Sequence, residues 1–240
     1  MGYLQEIGAW TQQEVARRRQ TRPFAGALHE PGRVKVIAEI KRASPSEGPI
    51  APAADAAEVA RRYEAGGAAA ISVLTSARDF AGSLLDLARV RAVTDLPLLA
   101  KDFFVDPYQV VEARAHGADA ILVLLALVDD SLARDLIQAA EDQQMDVLCE
   151  VHDETELRRA LDLGCPLIGV NARDLGSLKV DPADQRRLLG AVPKGFVTVA
   201  ESGVASRDDL DAAGRAGASA ALVGTALMRD PDLLAELTRP

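Results

Sequence analysis

Short apolar runs recur along the chain, and most of them end in polar or turn-forming residues. They occupy residues 34–40, 68–75, 96–103, 118–127, 145–151, 166–173, 196–202 and 219–226. Continuous runs of Val, Ile, Leu and Ala are typical of strands that are buried on both faces. The pattern therefore predicts eight strands of a largely parallel sheet.

Amphipathic segments separate several of these runs and predict helices. The segments lie at residues 56–67, 106–117, 130–143, 153–164 and 206–217. Apolar residues return in them every three or four positions, which places those residues on one face of a helix. Asp or Ser often opens a segment and Gly often closes it, as helix caps require. The chain therefore alternates strand and helix.

This alternation predicts the fold. Successive strand–helix–strand units form right-handed crossovers, and eight of them in 240 residues predict a (β/α)8 TIM barrel. We expect residues 1–240 to form one barrel domain, with residues 1–33 as a helical extension. A helix at Gln13–Arg19 is expected to cap the bottom of the barrel or flank its mouth. A doubly wound open sheet is the alternative, but it more often has about five to seven strands and a Gly-rich first turn. No GxGxxG motif follows the first strand here.

Composition and charge limit the partners. The chain is 48% hydrophobic and 4% aromatic, and its formal net charge is -9 at pH 7. This negative charge argues against a nucleic-acid partner. An anionic ligand would therefore need a local positive site, such as a helix N-terminus. The sequence has no secretory signal and no uncharged apolar run of about 18 residues. We therefore expect a cytoplasmic protein without a membrane partner.

The cysteines and histidines carry no clear metal-binding pattern. Cys149 and Cys165 lack the spacing of metal ligands, and we interpret them as buried thiols in a reducing compartment. His116 and His152 are interpreted as a helix-end residue and a loop-facing residue rather than as ligands.

Polar side chains collect where the predicted strands end, which is the end of a TIM barrel that carries the active site. They are Glu39, Lys41, Lys101, Glu150, Asn171, Arg173 and Glu201. Side chains alternate across a strand, so Glu39 and Lys41 share one face. Acids and bases that meet in a confined site push each other's pKa values apart, which suits general acid–base catalysis. The alternative is a set of structural ion pairs, although apolar residues would close the core at lower cost.

Small residues follow the last two strands and predict an anion site. Ser202 and Gly203 follow the seventh strand, and Gly224 and Thr225 follow the eighth. Their backbone N–H groups could bind one anion, and TIM barrels commonly hold a phosphate between these two loops.

Several long blocks resemble the indole-3-glycerol phosphate synthase family. They are VIAEIKRASPSEG, LLAKDFFVDPYQVVEARAHGADAILVLLAL, LCEVHDETEL, IGVNARDL, VAESGV and VGTALMR, spread from Val34 to Met228. The resemblance implies a carbon–carbon lyase of tryptophan biosynthesis without a metal or organic cofactor. Such an enzyme converts 1-(2-carboxyphenylamino)-1-deoxyribulose 5-phosphate to indole-3-glycerol phosphate, with release of CO2 and water. The resemblance also implies that the substrate is a phosphorylated small molecule. We expect the protein to be a monomer.

The resemblance also assigns roles. It implies that Lys101 is the general acid of ring closure and that Lys41 is a second acid. Glu150 and Glu39 are implied as acid–base or electrostatic partners, and Asn171 as a further catalytic residue. The substrate-binding residues it implies are Ser44, Phe80, Phe103, Leu124, Arg173 and Glu201, with Phe80, Phe103 and Leu124 walling the pocket for the aromatic ring. The phosphate is assigned to Ser202, Gly203, Gly224 and Thr225.

One departure and two alternatives accompany the resemblance. Many relatives read SPSKG after the first strand, where this chain has Glu47. Another phosphate-binding barrel, such as phosphoribosylanthranilate isomerase, would share the anion turns but would not need Lys101 together with Glu39 and Lys41. A non-catalytic barrel subunit would be free to lose at least one of these charged residues.

Overall fold

The computed structural model of the protein describes residues 2–174, 176 and 178–239. In this part of the chain, eight parallel strands close into a barrel. They are β1 (Lys35–Ile40), β2 (Ala70–Leu74), β3 (Leu98–Lys101), β4 (Ala120–Leu124), β5 (Asp146–Val151), β6 (Leu167–Asn171), β7 (Val197–Glu201) and β8 (Ala220–Val223). Each strand pairs with the next one along the chain, and β8 pairs with β1 in the register Lys35 to Ala220. All eight strands lie inside the predicted runs, so the predicted TIM barrel is confirmed.

Helices follow each strand and surround the barrel. In chain order they are α1 (Tyr3–Arg19), α2 (Phe24–Ala27), α3 (Ala56–Ala65), α4 (Ala77–Phe80), α5 (Leu84–Arg91), α6 (Pro107–Ala115), α7 (Asp130–Asp142), α8 (Glu154–Asp162), α9 (Pro182–Ala191), α10 (Arg207–Arg215), α11 (Thr225–Arg229) and α12 (Leu233–Leu237). Many begin where predicted because a side chain caps them. Asp106, for example, accepts a hydrogen bond from the Tyr108 backbone, while Gln109 accepts one from the Asp106 backbone. A cap of this kind contributes about 1 kcal/mol.

The alternation of side chains along the strands divides the core into two layers. On β1, Val36, Ala38 and Ile40 pack outward among the helices, whereas Ile37 packs inward with residues of the other strands. Glu39 therefore points into the barrel, as the alternation predicted. A short antiparallel hairpin, Ala43–Ser44 with Gly48–Pro49, follows β1 at the mouth.

The bottom of the barrel is closed by α2. Phe24 and Leu28 are fully buried against the inner layer, and the Ala25 backbone donates to Asp146 Oδ2 at 2.9 Å. The helix predicted at 13–19 is the last part of the longer α1. Leu4 and Trp10 of α1 are 80% and 59% exposed. The cap at the bottom is therefore α2 rather than the predicted helix.

The two cysteines are buried, as predicted, but the prediction of free thiols was wrong. Cys149 on β5 and Cys165 just before β6 form a disulfide, with Cα atoms 6.4 Å apart. The chain leaves β5, forms α8 and returns beside β5, which brings together two residues that are 16 apart in sequence. Spacing alone does not reveal this return.

No helix in the described ranges is both long and apolar enough to cross a membrane.

We predict that Phe24→Ala destabilises the fold, because it empties a fully buried site at the bottom of the barrel. The expected loss in the free energy of unfolding is about 3–5 kcal/mol. The matched control is Trp10→Ala on exposed α1, which we expect to change stability by less than about 0.5 kcal/mol. Urea denaturation of both variants measures the difference. Equal effects would show that α2 does not close the core.

Candidate active site

A cavity of about 890 Å³ opens at the carboxyl ends of the strands. Every residue predicted for the site lines it. These residues are Glu39, Lys41, Ser44, Phe80, Lys101, Phe103, Leu124, Glu150, Asn171, Arg173, Glu201, Ser202, Gly203, Gly224 and Thr225. They come from the ends of seven strands and the loops that follow them, with Phe80 from the helix after β2, so one cavity gathers residues from all eight strand–helix connections.

Lys101 occupies the centre of the charged part of this cavity. Its Nζ lies 2.6 Å from Glu201 Oε2 and 3.3 Å from Glu150 Oε2. Burial alone would lower the pKa of the Lys101 ammonium, but the carboxylates of Glu201, Glu150 and Glu39 outweigh it and raise that pKa above its usual value. Lys101 is therefore a cation at neutral pH.

The carboxylate of Glu150 contacts the side chains of three other residues. Lys101 contacts Oε2, while Asn171 Nδ2 donates to Oε1 at 2.7 Å and His152 Nε2 lies 3.2 Å from the same oxygen. Burial acts to raise the pKa of Glu150, but the positive charge of Lys101 and the contacts with His152 and Asn171 lower it below the usual range. The carboxylate is therefore ionised and available as a base.

Glu201 differs from Glu150 in its surroundings. Burial and the negative charge of Glu150 raise the pKa of Glu201, and the attraction of Lys101 only partly offsets them. Its Oε1 is buried without a hydrogen-bond partner and faces Gly169 on β6. A Cβ added at Gly169 would collide with this oxygen. The glycine therefore makes room for the Glu201 side chain.

Glu39 and Lys41 form an ion pair beside this cluster, with Glu39 Oε1 2.9 Å from Lys41 Nζ. Ser72 donates to the other carboxylate oxygen of Glu39 at 3.4 Å. Gly224 lies next to the pair, and a Cβ there would collide with Glu39 Oε1 and come within 3.1 Å of Lys41 Nζ. The prediction that Glu39 and Lys41 share one inward face is confirmed by this contact.

Asn171 and Arg173 lie together but point to different partners. The Asn171 side chain accepts a hydrogen bond from the Arg173 backbone at 3.0 Å, and its amide reaches Glu150. The Arg173 guanidinium donates to the Leu178 carbonyl oxygen at 2.9 Å, within the loop after β6. Asn171 thus joins the charged cluster, whereas Arg173 lines the cavity from the loop.

An apolar wall stands on another side of the cavity. The rings of Phe80 and Phe103 have centroids 6.2 Å apart, and Leu124 lines the same cavity. Asp102 fixes the turn that carries Phe103, because it accepts from Thr75 Oγ1 at 2.7 Å and from the Phe103 backbone at 2.9 Å. The sequence pattern missed this supporting role of Asp102.

The turns after β7 and β8 form a third side. Ser202 adopts a left-handed conformation with φ of 64°, and Gly203 follows with φ of 80°. A non-glycine residue in this region costs about 1 kcal/mol or more, so Ser202 is held there by its surroundings. Gly224 and Thr225 begin the short helix α11 on the adjacent strand end.

The loop after β1 is tied to α11. Ser44 is buried, and its hydroxyl oxygen accepts from the Glu47 backbone at 3.2 Å. Glu47, which departs from the SPSKG pattern, lies 2.5 Å from Arg229. The unusual carboxylate therefore pairs with a cation of this chain.

His152 is a site residue that the sequence interpretation missed. We expected it to face a loop, but its ring contacts Glu150 and its side chain is only 14% exposed. Glu150 and His152 are two residues apart, so strand alternation would have placed both on one face. In the described part of the chain, no group of three or more His, Cys, Asp or Glu side chains is arranged to hold a metal ion.

Comparison with protein families matches residues 4–239 to the family described as indole-3-glycerol phosphate synthase. The chain belongs to this family. The resemblance predicted from the sequence is confirmed. A protein of this name from Parafrankia sp. is 51% identical over 220 residues, covering 92% of this chain and 82% of the relative. Another from Beutenbergia cavernae is 44% identical, covering 95% of this chain and 90% of the relative.

Solved structures with low sequence identity share the fold. A thiamine phosphate pyrophosphorylase from Pyrococcus furiosus aligns with a TM-score of 0.63 at 18% identity, over 90% of this chain and 96% of that one. An N-acetylmannosamine-6-phosphate 2-epimerase from Clostridium perfringens aligns with a TM-score of 0.64 at 16% identity, and the alignment covers 88% of this chain and 93% of that one. At these identities the likeness supports the barrel architecture alone.

We predict that Gly169→Ala disrupts the site while the barrel stays folded, because the added Cβ displaces Glu201 and with it Lys101. A misplacement of about 1 Å costs on the order of 10²-fold in turnover. Gly190→Ala is the control, since its Cβ would lie 3.9 Å from the nearest atom, a carbonyl oxygen. Steady-state turnover of the family reaction and a crystal structure of each variant provide the readout. Full activity of Gly169→Ala would contradict the packing argument.

Proposed function

We propose that the protein is an indole-3-glycerol phosphate synthase, a carboxy-lyase that closes the indole ring in tryptophan biosynthesis. Its substrate would be 1-(2-carboxyphenylamino)-1-deoxyribulose 5-phosphate, and its products indole-3-glycerol phosphate, CO2 and water. The observation that carries this proposal is the buried Lys101 between Glu150 and Glu201, in a cavity that also has an aromatic wall. Membership of the family supports it.

Ring closure requires an acid at the ketone oxygen. The ring carbon that bears the carboxylate attacks the ketone carbon, a C–C bond forms, and the oxygen takes a proton. Lys101 suits this step because it is an ammonium at the wall of the cavity, with its Nζ fixed by Glu150 and Glu201. Glu201 would hold the ammonium in position through the 2.6 Å contact.

The later steps require a second acid and a base. Loss of CO2 returns the bonding electron pair to the ring, and the new hydroxyl then leaves as water after protonation. Lys41 is the acid we assign to this departure, because Glu39 holds it at the rim of the same cavity. Glu150 is the base we assign to the proton that leaves the methylene carbon beside the ring nitrogen, because it is a carboxylate next to Lys101 in the same cavity. Asn171 would hold this carboxylate in place.

The remaining predicted residues would bind the two ends of the substrate. Phe80, Phe103 and Leu124 offer an apolar surface to the aromatic ring. For the phosphate we propose the turns of Ser202, Gly203, Gly224 and Thr225, because backbone N–H groups at such turns bind anions. Ser44 and Arg173 would contact the substrate from the loops after β1 and β6.

Other features of the protein remain proposals. We propose a monomer that acts in the cytoplasm on a phosphorylated small molecule, without a metal or organic cofactor and without nucleic-acid or membrane partners. The isomerase and the non-catalytic subunit are not favoured, because neither requires the Lys101 cluster together with the Glu39–Lys41 pair.

We predict that Lys101→Met lowers turnover by on the order of 10²–10⁴-fold, the contribution expected of a general acid. Lys35→Met is the matched control, because this lysine begins β1 at the opposite end of the barrel and pairs with Glu30. A steady-state assay that follows indole fluorescence measures both variants, and circular dichroism verifies the fold. Near-normal turnover of Lys101→Met would reject its role as the acid.

A further inference from the structure

We propose that His152 is a positioning residue that holds Glu150 through a chain of three groups, Glu156, His152 and Glu150. The inference rests on the proposed role of Glu150 as a base. It adds a residue from the loop between β5 and α8 to the machinery of the site.

The imidazole ring lies between two carboxylates and is hydrogen-bonded through Nδ1, while Nε2 is only in charge contact with Glu150. His152 Nε2 lies 3.2 Å from Glu150 Oε1, and Nδ1 lies 3.1 Å from Glu156 Oε2. The same Glu156 oxygen accepts a hydrogen bond from the His152 backbone N–H at 2.8 Å, so it contacts both the backbone and the ring of His152. The Glu156 backbone in turn donates to Asp153, the N-cap of α8. Glu156 therefore anchors the ring on its Nδ1 side and leaves Nε2 facing Glu150.

Each oxygen of Glu150 has a different set of neighbours. Oε2 faces Lys101 from β3, while Oε1 faces both the Asn171 amide from β6 and the His152 ring. Glu201 from β7 competes for Lys101 at 2.6 Å. If Lys101 donates its proton in ring closure, the cation that remains beside Glu150 is His152. Its charge would keep Glu150 ionised for the following proton transfer.

The charges around Glu150 agree with a positioning role for His152. Glu39, Glu150 and Glu201 are buried carboxylates, and Lys41 and Lys101 provide two ammonium groups next to them. Burial acts to lower the pKa of His152, but the carboxylates of Glu150 and Glu156 outweigh it and raise it to about 10. The imidazole is therefore protonated at neutral pH and adds a cation beside Glu150.

The test is His152→Gln, which keeps hydrogen-bonding capacity but removes the charge. Without His152, Glu150 loses the group that faces its Oε1 and is positioned less firmly. We expect kcat to fall by on the order of 10²-fold with KM little changed. His116→Gln is the control, because His116 caps α6 with Nδ1 2.8 Å from the Glu112 carbonyl oxygen. A folded His152→Gln with the kcat of the wild-type chain overturns the inference.

A second measurement does not depend on activity. Nuclear magnetic resonance of the His152 imidazole in the wild-type chain should show a ring that stays protonated above pH 8. In Glu150→Gln the ring should lose its proton at lower pH than in the wild-type chain. A His152 ring that titrates near its ordinary pKa of about 6.5 in the wild-type chain overturns the inference. If the wild-type chain shows no synthase activity, the proposed function fails, and this titration still decides whether His152 and Glu150 are coupled.

Discussion

A buried ammonium between two buried carboxylates is the interaction on which the rest of this structure depends. Lys101 ends β3, whereas Glu150 and Glu201 belong to β5 and β7, so the closed barrel is what brings their atoms within 3.3 Å. Each charge alone would be costly to bury, and removing one partner from such a cluster typically costs about 3–5 kcal/mol. The cluster is tolerated because the opposite charges satisfy one another. The same arrangement keeps Lys101 protonated and Glu150 ionised, which is the division of roles that acid–base catalysis needs.

The surrounding chain makes this cluster possible. Gly169 leaves space for Glu201, and Gly224 leaves space for Glu39, so two positions without a side chain determine where two carboxylates lie. Asn171 contacts Glu150 from the neighbouring strand. At the opposite end of the barrel, Phe24 packs against the inner layer of the core, which lies beneath the charged residues. The bottom of the barrel therefore contributes to stability, whereas the charged residues at the carboxyl ends of the strands form the site, as is usual in TIM barrels.

Sequence reasoning worked where the relevant pattern is local or periodic. Alternation along a strand correctly predicted that Glu39 and Lys41 point inward, and the position of polar residues at strand ends predicted the lining of the cavity. Partners across the barrel could not be derived in this way, because they depend on which strands face each other. The contact of Lys101 with Glu201 is of this kind. The Cys149–Cys165 disulfide and the burial of α2 depend instead on how the chain returns to the barrel after a helix or an N-terminal segment. His152 is different, since the alternation that places it beside Glu150 was available in the sequence.

The most direct test of the account is whether the purified chain converts the anilino-deoxyribulose phosphate to an indole. With the substrate carboxylate labelled with ¹³C, we expect indole-3-glycerol phosphate and labelled CO2 to form in equal amounts. Because the site we describe relies on side-chain acids and bases, a chelator should leave the rate unchanged. Consumption of the substrate without release of labelled CO2, or no consumption at all, would contradict the central claim.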